Sequence, residues 1–207
     1  MEKKATKFKA IIWDLGNVLI DWNPRYVYDT LIPDEEKRKH FFEHICTMDW
    51  NEQQDAGYSI QKATEELVLK HPDLKEYIEA YYSRWEEMLG GPIEGTVEIF
   101  KELKENPQLR HFALTNWSHE LFPTALRLYH FLHWFDGRVV SGEEGMRKPD
   151  IAFYKILLNR YYLRADESLF IDDNLRNVKA AEALGITSIH FQSPCQLSKV
   201  LKEFQLL

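Results

Sequence analysis

The sequence predicts an α/β fold in which a mostly parallel, doubly wound sheet carries a helical insert. Short apolar runs bounded by turn residues alternate with amphipathic helical patterns along most of the chain. This alternation is typical of parallel strands joined by crossover helices. One region, residues 22–91, contains helical patterns only. Because the chain has 207 residues and a typical domain has about 150, we expect one domain with an insert.

Five apolar runs have the length and the turn boundaries of buried strands. In chain order they are residues 10–13, 112–114, 139–140, 169–171 and 188–191. Parallel strands place their carboxyl ends at one edge of a sheet, which is where open α/β sheets bind ligands. We therefore expect the loops after these runs to meet at one edge.

Helical patterns occupy the segments between the strand-like runs. Residues 96–105 and 150–161 carry apolar side chains three and four positions apart, and Pro149 suits the first helical position of the second segment. A third pattern ends at Gly185, a residue type that commonly terminates helices. These segments are predicted to be the crossover helices that cover the sheet.

The insert is expected to fold as a small helical bundle. Its helical patterns cover residues 35–46, 59–70 and 74–89. A segment of roughly 70 residues is long enough to form a domain of its own. We therefore predict a core domain made of residues 1–21 and 92–207, with a helical cap domain at 22–91.

Composition restricts the partners and the compartment. The chain has 33 acidic against 26 basic residues, a net charge of −7, which argues against nucleic acid or an anionic membrane as the main partner. Cys46 and Cys195 fit neither a disulfide nor a metal spacing. Asp14 interrupts the apolar run that follows the N-terminal lysines, so no signal peptide is expected. We expect a soluble, cytoplasmic protein, and these features do not predict its oligomeric state.

Polar residues follow four of the predicted strands. In chain order they are Asp14, then Thr115 with Asn116, then Lys148, then Asp172 with Asp173. Converging carboxylates repel each other unless a cation compensates them, and Mg²⁺ typically binds one or two carboxylates together with phosphate and water. A simpler interpretation is also open, in which Asp14 satisfies turn N–H groups and the acidic pair caps the following helix.

These residues, taken in order, resemble the motifs of the haloacid dehalogenase-like hydrolase superfamily. In this chain the motifs read Asp14-Leu15-Gly16-Asn17-Val18, Thr115-Asn116, Lys148-Pro149 and Asp172-Asp173-Asn174. The resemblance spans nearly the whole chain and implies a Rossmann-like core with an α-helical cap. The residues of these motifs are most similar to those of a subgroup that contains sugar-1-phosphate phosphatases.

The resemblance implies a phosphomonoester hydrolase that works through an aspartyl-phosphate intermediate. Asp14 would be the nucleophile. Lys148, the Thr115 hydroxyl and the Asn116 backbone N–H would stabilise the phosphoryl oxygens. The implied partner is a small phosphorylated metabolite.

The implied cofactor is Mg²⁺, which would neutralise charge during phosphoryl transfer. Its ligands would be Asp14, the main-chain carbonyl of Gly16, and Asp173. Asp172 is a further candidate ligand.

Gly16 departs from the family pattern, because phosphatases of the family usually carry an acid/base aspartate at that position. The loss would matter least for a sugar-1-phosphate, whose anomeric oxygen is a better leaving group than an ordinary alkoxide. Two alternatives remain open: a metal-independent 2-haloacid dehalogenase and a catalytically weak regulatory or binding protein. The acidic pair Asp172-Asp173 favours a cation-dependent phosphatase over the dehalogenase, and the intact motif residues argue against the weak protein.

Five residues outside the motifs are candidates for binding substrate, since carbohydrate sites combine aromatic platforms with polar side chains. They are Arg25, Trp50, Glu52, Trp117 and His119. For Trp50, packing inside the helical bundle is the favoured interpretation. His119 is a candidate source of the proton that Gly16 cannot supply.

Overall fold

Seven strands and eleven α-helices make up the computed structural model, which describes residues 6–207. The strands are β1 (Ala10–Trp13), β2 (Ile20–Trp22), β3 (Leu89–Pro92), β4 (Arg110–Thr115), β5 (Gly137–Val140), β6 (Ser168–Asp172) and β7 (Thr187–His190). The helices are α1 (Arg25–Leu31), α2 (Glu35–His44), α3 (Met48–Asp55), α4 (Ile60–Lys70), α5 (Lys75–Ser83), α6 (Glu94–Lys104), α7 (Phe122–Leu128), α8 (Ser141–Glu144), α9 (Ile151–Arg160), α10 (Leu175–Ala183) and α11 (Pro194–Glu203). Residues 1–5 of the predicted core domain lie outside the described part of the chain.

Five of the strands form a parallel sheet in the order β5-β4-β1-β6-β7. Strand β1 is central, and all four of its residues are buried. A strand buried on both faces consists of consecutive apolar residues, and this is why the run from Ala10 to Trp13 could be identified from the sequence. The predicted α/β class with a mostly parallel sheet is confirmed.

The helices that connect these strands begin and end close to the predicted bounds. The prediction that Pro149 is the first helical residue is wrong, because α9 begins at Ile151 after an Asp150 N-cap. The Asp150 side chain accepts a hydrogen bond from the Ala152 backbone N–H, which is a stronger start signal than proline. Gly185 follows α10 with a φ of +81°, as its predicted terminating role requires.

Helices α1 to α5 lie between β2 and β3, a short antiparallel pair that joins the insert to the sheet. The sequence patterns predicted no strand here, because these strands have only three or four residues and β3 contains Gly90 and Gly91. The predicted helix 74–89 is also interrupted. Its α-helical part ends at Ser83, and a 3₁₀ turn over Trp85–Met88 follows.

The insert and the sheet share one apolar core. A single cluster of buried side chains runs from Trp13 in β1 to Tyr28, Phe41 and Tyr81 in the insert helices. A second cluster, which includes Phe112 and Phe170, fills the other face of the sheet. This shared core holds α3 close to the sheet edge where the predicted motif residues lie. No helix of the described residues is long and apolar enough to cross a bilayer.

Candidate active site at the carboxyl edge of the sheet

The register of β1 and β6 places two aspartates side by side. Trp13 pairs with Ile171 across these parallel strands, so the next residues, Asp14 and the final β6 residue Asp172, lie next to each other at the strand ends. The Asp14 backbone N–H donates to the Ile171 carbonyl oxygen at 2.9 Å. The two carboxyl groups therefore meet at the carboxyl edge of the sheet, as the sequence predicted for a ligand site.

A completely buried lysine links the two aspartates. Lys148 Nζ donates to Asp14 Oδ1 and to Asp172 Oδ2, both at 2.8 Å. Burial disfavours the charged ammonium, but the two carboxylates outweigh burial and raise the pKa of Lys148. Buried ions persist when their partners are this close and their hydrogen bonds are satisfied.

Both oxygens of Asp172 are already hydrogen-bonded within the protein. Oδ1 accepts from the Asn174 backbone N–H at 2.8 Å, and both oxygens accept from Asn177 Nδ2 at 3.1 Å. Asp172 is also completely buried. Its clearest task is therefore to hold Lys148 in place, whereas the next residue, Asp173, is only partly buried and lines the cavity.

Asn116 fixes the backbone that carries Lys148. Its Nδ2 donates to the Lys148 carbonyl oxygen at 3.0 Å, and its Oδ1 accepts from the Lys148 backbone N–H at 2.8 Å. The paired bonds join the loop after β4 to the loop after β5. The Asn116 side chain is thus a positioning group, a task distinct from the phosphate contact predicted for its backbone N–H.

Three buried hydrogen-bonding groups next to this cluster lack a protein partner among the described residues. They are the Thr115 hydroxyl, at the end of β4, the indole N–H of Trp117 and the amide oxygen of Asn177. A buried polar group without a partner costs about 1–3 kcal/mol. Such groups are typical of a site that is completed by a ligand.

The carboxylates fit a divalent cation. Asp14, Asp172 and Asp173 each offer an oxygen within 4.8 Å of the others. Burial, with the neighbouring carboxylates of Asp172 and Asp173, raises the pKa of Asp14 against the opposing effect of Lys148. Burial and Asp172 likewise raise the pKa of Asp173. A bound cation would relieve this repulsion, and the oxygen-only donor set suits Mg²⁺.

A cavity of about 180 Å³ opens over these groups. Its floor belongs to the sheet edge and includes Asp14, Gly16, Asn116, Lys148 and Asp173. One face of α3 forms part of its wall, with Met48, Asn51, Glu52 and Asp55. The apolar part of the wall comes from Trp22, Trp85, Trp117 and Leu121. The remaining lining residues are Asn17, Asn174, Arg176 and Asn177.

Glu52 bridges the insert and the core. Its carboxylate contacts Arg147 at 2.7 Å and Arg176 at 2.7 Å, and its side chain is only 14% exposed. Arg147 lies in the loop before Lys148, and Arg176 lies in the first turn of α10. The bridge therefore fastens α3 to the core at the wall of the cavity.

The residues predicted to bind substrate divide into two groups. Glu52 and Trp117 line the cavity, whereas Arg25, Trp50 and His119 do not. Arg25 is exposed on α1 and pairs with Asp29 at 3.1 Å. Trp50 packs against Tyr81 and Tyr82, as the packing interpretation expected. His119 is exposed and is not among the lining residues.

Several residues at the site received no role from the sequence, among them the polar residues Asp55, Arg147, Arg176 and Asn177. The sequence contains a local signal from which the position of Asp55 could have been predicted. Thr47 is an N-cap whose side chain accepts from the Trp50 backbone N–H, so a helix begins at Met48. Positions 48, 51, 52 and 55 then share one helical face.

Comparison with known proteins agrees with this geometry. A family model described as haloacid dehalogenase-like hydrolase matches residues 8–185. The sesquiterpene phosphatase astK of Aspergillus oryzae is 30% identical over 186 residues, which cover 90% of this chain and 91% of that protein.

Two solved structures share the fold. One is a HAD family enzyme of Bacteroides thetaiotaomicron in complex with magnesium and inorganic phosphate, with a TM-score of 0.68 and 21% identity. That match covers 90% of this chain and 95% of the other. The second is a dehalogenase with a TM-score of 0.68 and 16% identity, covering 94% of this chain and 97% of the other.

Proposed function

The chain belongs to the haloacid dehalogenase-like hydrolases, and on that basis we propose that it hydrolyses phosphomonoesters with the help of Mg²⁺. The observation that carries the proposal is the completely buried Lys148, held 2.8 Å from Asp14 Oδ1 at the floor of a cavity. This arrangement keeps one aspartate in a fixed orientation and supplies positive charge beside it. Transfer of a phosphoryl group to a carboxylate requires both the fixed orientation and the nearby positive charge.

Asp14 is the proposed nucleophile. Its contacts to Lys148 and to the Leu15 backbone N–H at 2.7 Å both fall on Oδ1. The other oxygen, Oδ2, attacks phosphorus in line with the leaving oxygen. The unpaired Thr115 hydroxyl and the Lys148 ammonium stabilise the phosphoryl oxygens during this attack. The product of the first half-reaction is an aspartyl-phosphate, which water then hydrolyses.

Asp14, Asp173 and the Gly16 carbonyl are the groups that would hold Mg²⁺, with Asp172 left to position Lys148. When bound, the cation would neutralise charge shared by the carboxylates and the phosphoryl oxygens. The raised pKa of Asp14 and of Asp173 supports this assignment, because a cation would keep both groups ionised.

Two substrate classes remain candidates for the organic group. The missing aspartate at Gly16 favours a sugar-1-phosphate, as the sequence predicted. The apolar wall formed by Trp22, Trp85, Trp117 and Leu121 favours an apolar alcohol instead, and the similarity to a sesquiterpene phosphatase supports this second class.

The test is phosphate release by the purified protein, with Mg²⁺ and with a chelator. The panel contains glucose 1-phosphate, glucose 6-phosphate, farnesyl monophosphate, benzyl phosphate and p-nitrophenyl phosphate. We expect Mg²⁺-dependent release that is lost in Asp14→Asn by at least about 10³-fold. Faster hydrolysis of the 6-phosphate than of the 1-phosphate contradicts the sugar-1-phosphate preference.

A parallel assay addresses the dehalogenase alternative. Halide release from 2-haloacids without metal, in place of phosphate release, would overturn the proposal. Absence of both activities in a folded protein would favour a binding or regulatory role.

A further inference from the structure

Departure of an alcohol from phosphorus requires a proton, because an alkoxide is a poor leaving group. At position 16 the structure provides no side chain for this purpose. Space is nevertheless present there, since no atom lies within 4 Å of a Cβ built on Gly16. For a substrate with an ordinary alkoxide leaving group, another titratable group of the cavity lining would have to supply the proton.

Most titratable groups that line the cavity already have other tasks. Asp14 is the nucleophile, Lys148 is ion-paired to it, and Asp173 is a proposed metal ligand. Glu52 is paired with two arginines, one of which is Arg176. Among the described carboxyl groups of the lining, Asp55 and Asp173 have no ionic partner in contact, and Asp173 is already assigned to the metal.

Asp55 is held firmly against the core although it belongs to the insert. It is the last residue of α3, and its carbonyl oxygen accepts a hydrogen bond from the Ser141 hydroxyl at the start of α8. Its carboxylate accepts a bond from Asn51 Nδ2 at 3.3 Å, and Asn51 in turn accepts from the Tyr82 hydroxyl at 3.1 Å. The carboxyl group thus has a fixed place in the wall of the cavity.

We propose that Asp55 is the acid that protonates the leaving oxygen and the base that later activates water. This inference rests on the proposed phosphatase function. The insert would then supply the acid/base carboxyl group that the loop after β1 lacks. With this group present, the substrate does not need an anomeric leaving group.

Each half-reaction balances with these groups alone. In the first, Asp14 Oδ2 bonds to phosphorus, the bond from phosphorus to the ester oxygen breaks, and Asp55 gives its proton to that oxygen. A neutral alcohol leaves. In the second, Asp55 takes a proton from water while the water oxygen bonds to phosphorus and the bond to Asp14 breaks. Inorganic phosphate leaves, and both aspartates return to their starting states.

The electrostatic surroundings of Asp55 agree with this role. Burial, followed by the negative charge of Glu52, raises the pKa of Asp55 to about 7. A hydrogen bond from the Ser118 backbone and the positive charges of Arg147 and Lys148 oppose this rise. A group that must both donate and accept a proton near neutral pH works best with a pKa in this range.

The test compares two substrates of similar size in the first turnover of Asp55→Asn. Benzyl phosphate releases an alkoxide-type oxygen that needs a proton, whereas p-nitrophenyl phosphate releases a stable phenolate. We expect benzyl alcohol release to slow about 10²-fold or more in the first turnover. The nitrophenolate burst should keep its rate within about threefold, followed by a slow steady state because water activation is impaired.

Two further variants control this experiment. Asp49→Asn removes the same charge from an exposed position of the same helix and should leave both substrates unaffected. Gly16→Asp, added to Asp55→Asn, places a carboxyl group in the open space at position 16. This double variant should recover benzyl phosphate turnover by at least about tenfold.

Equal slowing of both substrates in the first turnover, or no slowing of either, would overturn the role of Asp55. If Asp55→Asn fails to fold by circular dichroism, Asp55→Ser provides the same comparison. Failure of the proposed function has a different signature, because wild-type protein would then release no phosphate from either substrate in an Asp14-dependent manner. That result would overturn both proposals together.

Discussion

The sheet edge and helix α3 line the same cavity, but different rules place their side chains in it. At the sheet edge, the pairing of Trp13 with Ile171 decides that Asp14 and Asp172 meet. In α3, helical spacing decides which residues face the cavity, and tertiary contacts such as the Glu52 bridge decide where that face points. The side chains that meet at the sheet edge can therefore be predicted from the order of the motifs. Predicting which side chains of the insert face the cavity requires knowledge of how its helices pack.

The largest expected effect concerns the buried ion pairs of the sheet edge. Lys148→Ala leaves Asp14 and Asp172 buried without a cation, so we expect the free energy of unfolding to fall by about 3–5 kcal/mol. Urea denaturation followed by tryptophan fluorescence measures this change. Lys155→Ala, at an exposed position on α9, should stay within about 0.5 kcal/mol of wild type. A similar small change for Lys148→Ala would mean that the sheet edge does not depend on this pair.

The pH dependence of stability tests the environment of Asp55 in the insert. Its pKa is raised from 3.8 to about 7 in the folded state, so the native protein binds more protons than the unfolded chain between these values. Stability attributable to Asp55 is therefore present below about pH 4 and is lost as the pH rises to about 7. In the wild-type protein this loss of unfolding free energy is on the order of 1–2 kcal/mol after allowance for solvent screening. It should be absent from Asp55→Asn. Parallel stability-against-pH curves for the two proteins would contradict the assignment.

A smaller effect is expected at the bridge between the two regions. Glu52→Gln keeps the side-chain shape but removes the charge that pairs with Arg147 and Arg176. Because the bridge is partly exposed, we expect a loss of about 1 kcal/mol in unfolding free energy. A double-mutant cycle with Arg176→Ala measures the coupling directly. Zero coupling would show that the bridge does not fasten α3 to the core.

The smallest change in activity is expected for Arg25, a residue of the insert. Arg25 was predicted to bind substrate, but it is exposed on α1 outside the cavity lining. Its ion pair with Asp29 spans one helical turn, an arrangement worth about 0.3–0.5 kcal/mol. We therefore expect Arg25→Ala to change kcat/KM by less than about twofold. A tenfold loss would show that the insert moves during catalysis and brings Arg25 to the substrate.

The sequence was sufficient to predict the parallel sheet and the grouping of the motif residues at one edge. Apolar strands buried on both faces have few alternative interpretations, and parallel strands necessarily bring their carboxyl ends together. The division into a core and a cap at residues 22–91 remains a prediction, although α1 to α5 lie between β2 and β3.

The insert was less predictable for physical reasons. Trp50 and Tyr81 pack against each other inside the bundle, and nothing in their spacing distinguishes packing from substrate contact. Helix α3 is rich in polar residues and has little apolar periodicity, so its pattern did not indicate a helix. The N-cap Thr47 was the one local signal that predicts this helix and thereby the orientation of Asp55.

The proposed function requires that Asp14 becomes phosphorylated, and mass spectrometry of the acid-quenched enzyme tests this step most directly. The purified protein is mixed with Mg²⁺ and p-nitrophenyl phosphate, quenched within the first turnovers and digested. We predict one phosphoryl group on the peptide that contains Asp14, with greater accumulation in Asp55→Asn and none in Asp14→Asn. Phosphate release without any phosphoryl group on Asp14, or with the group on another residue, would contradict the account.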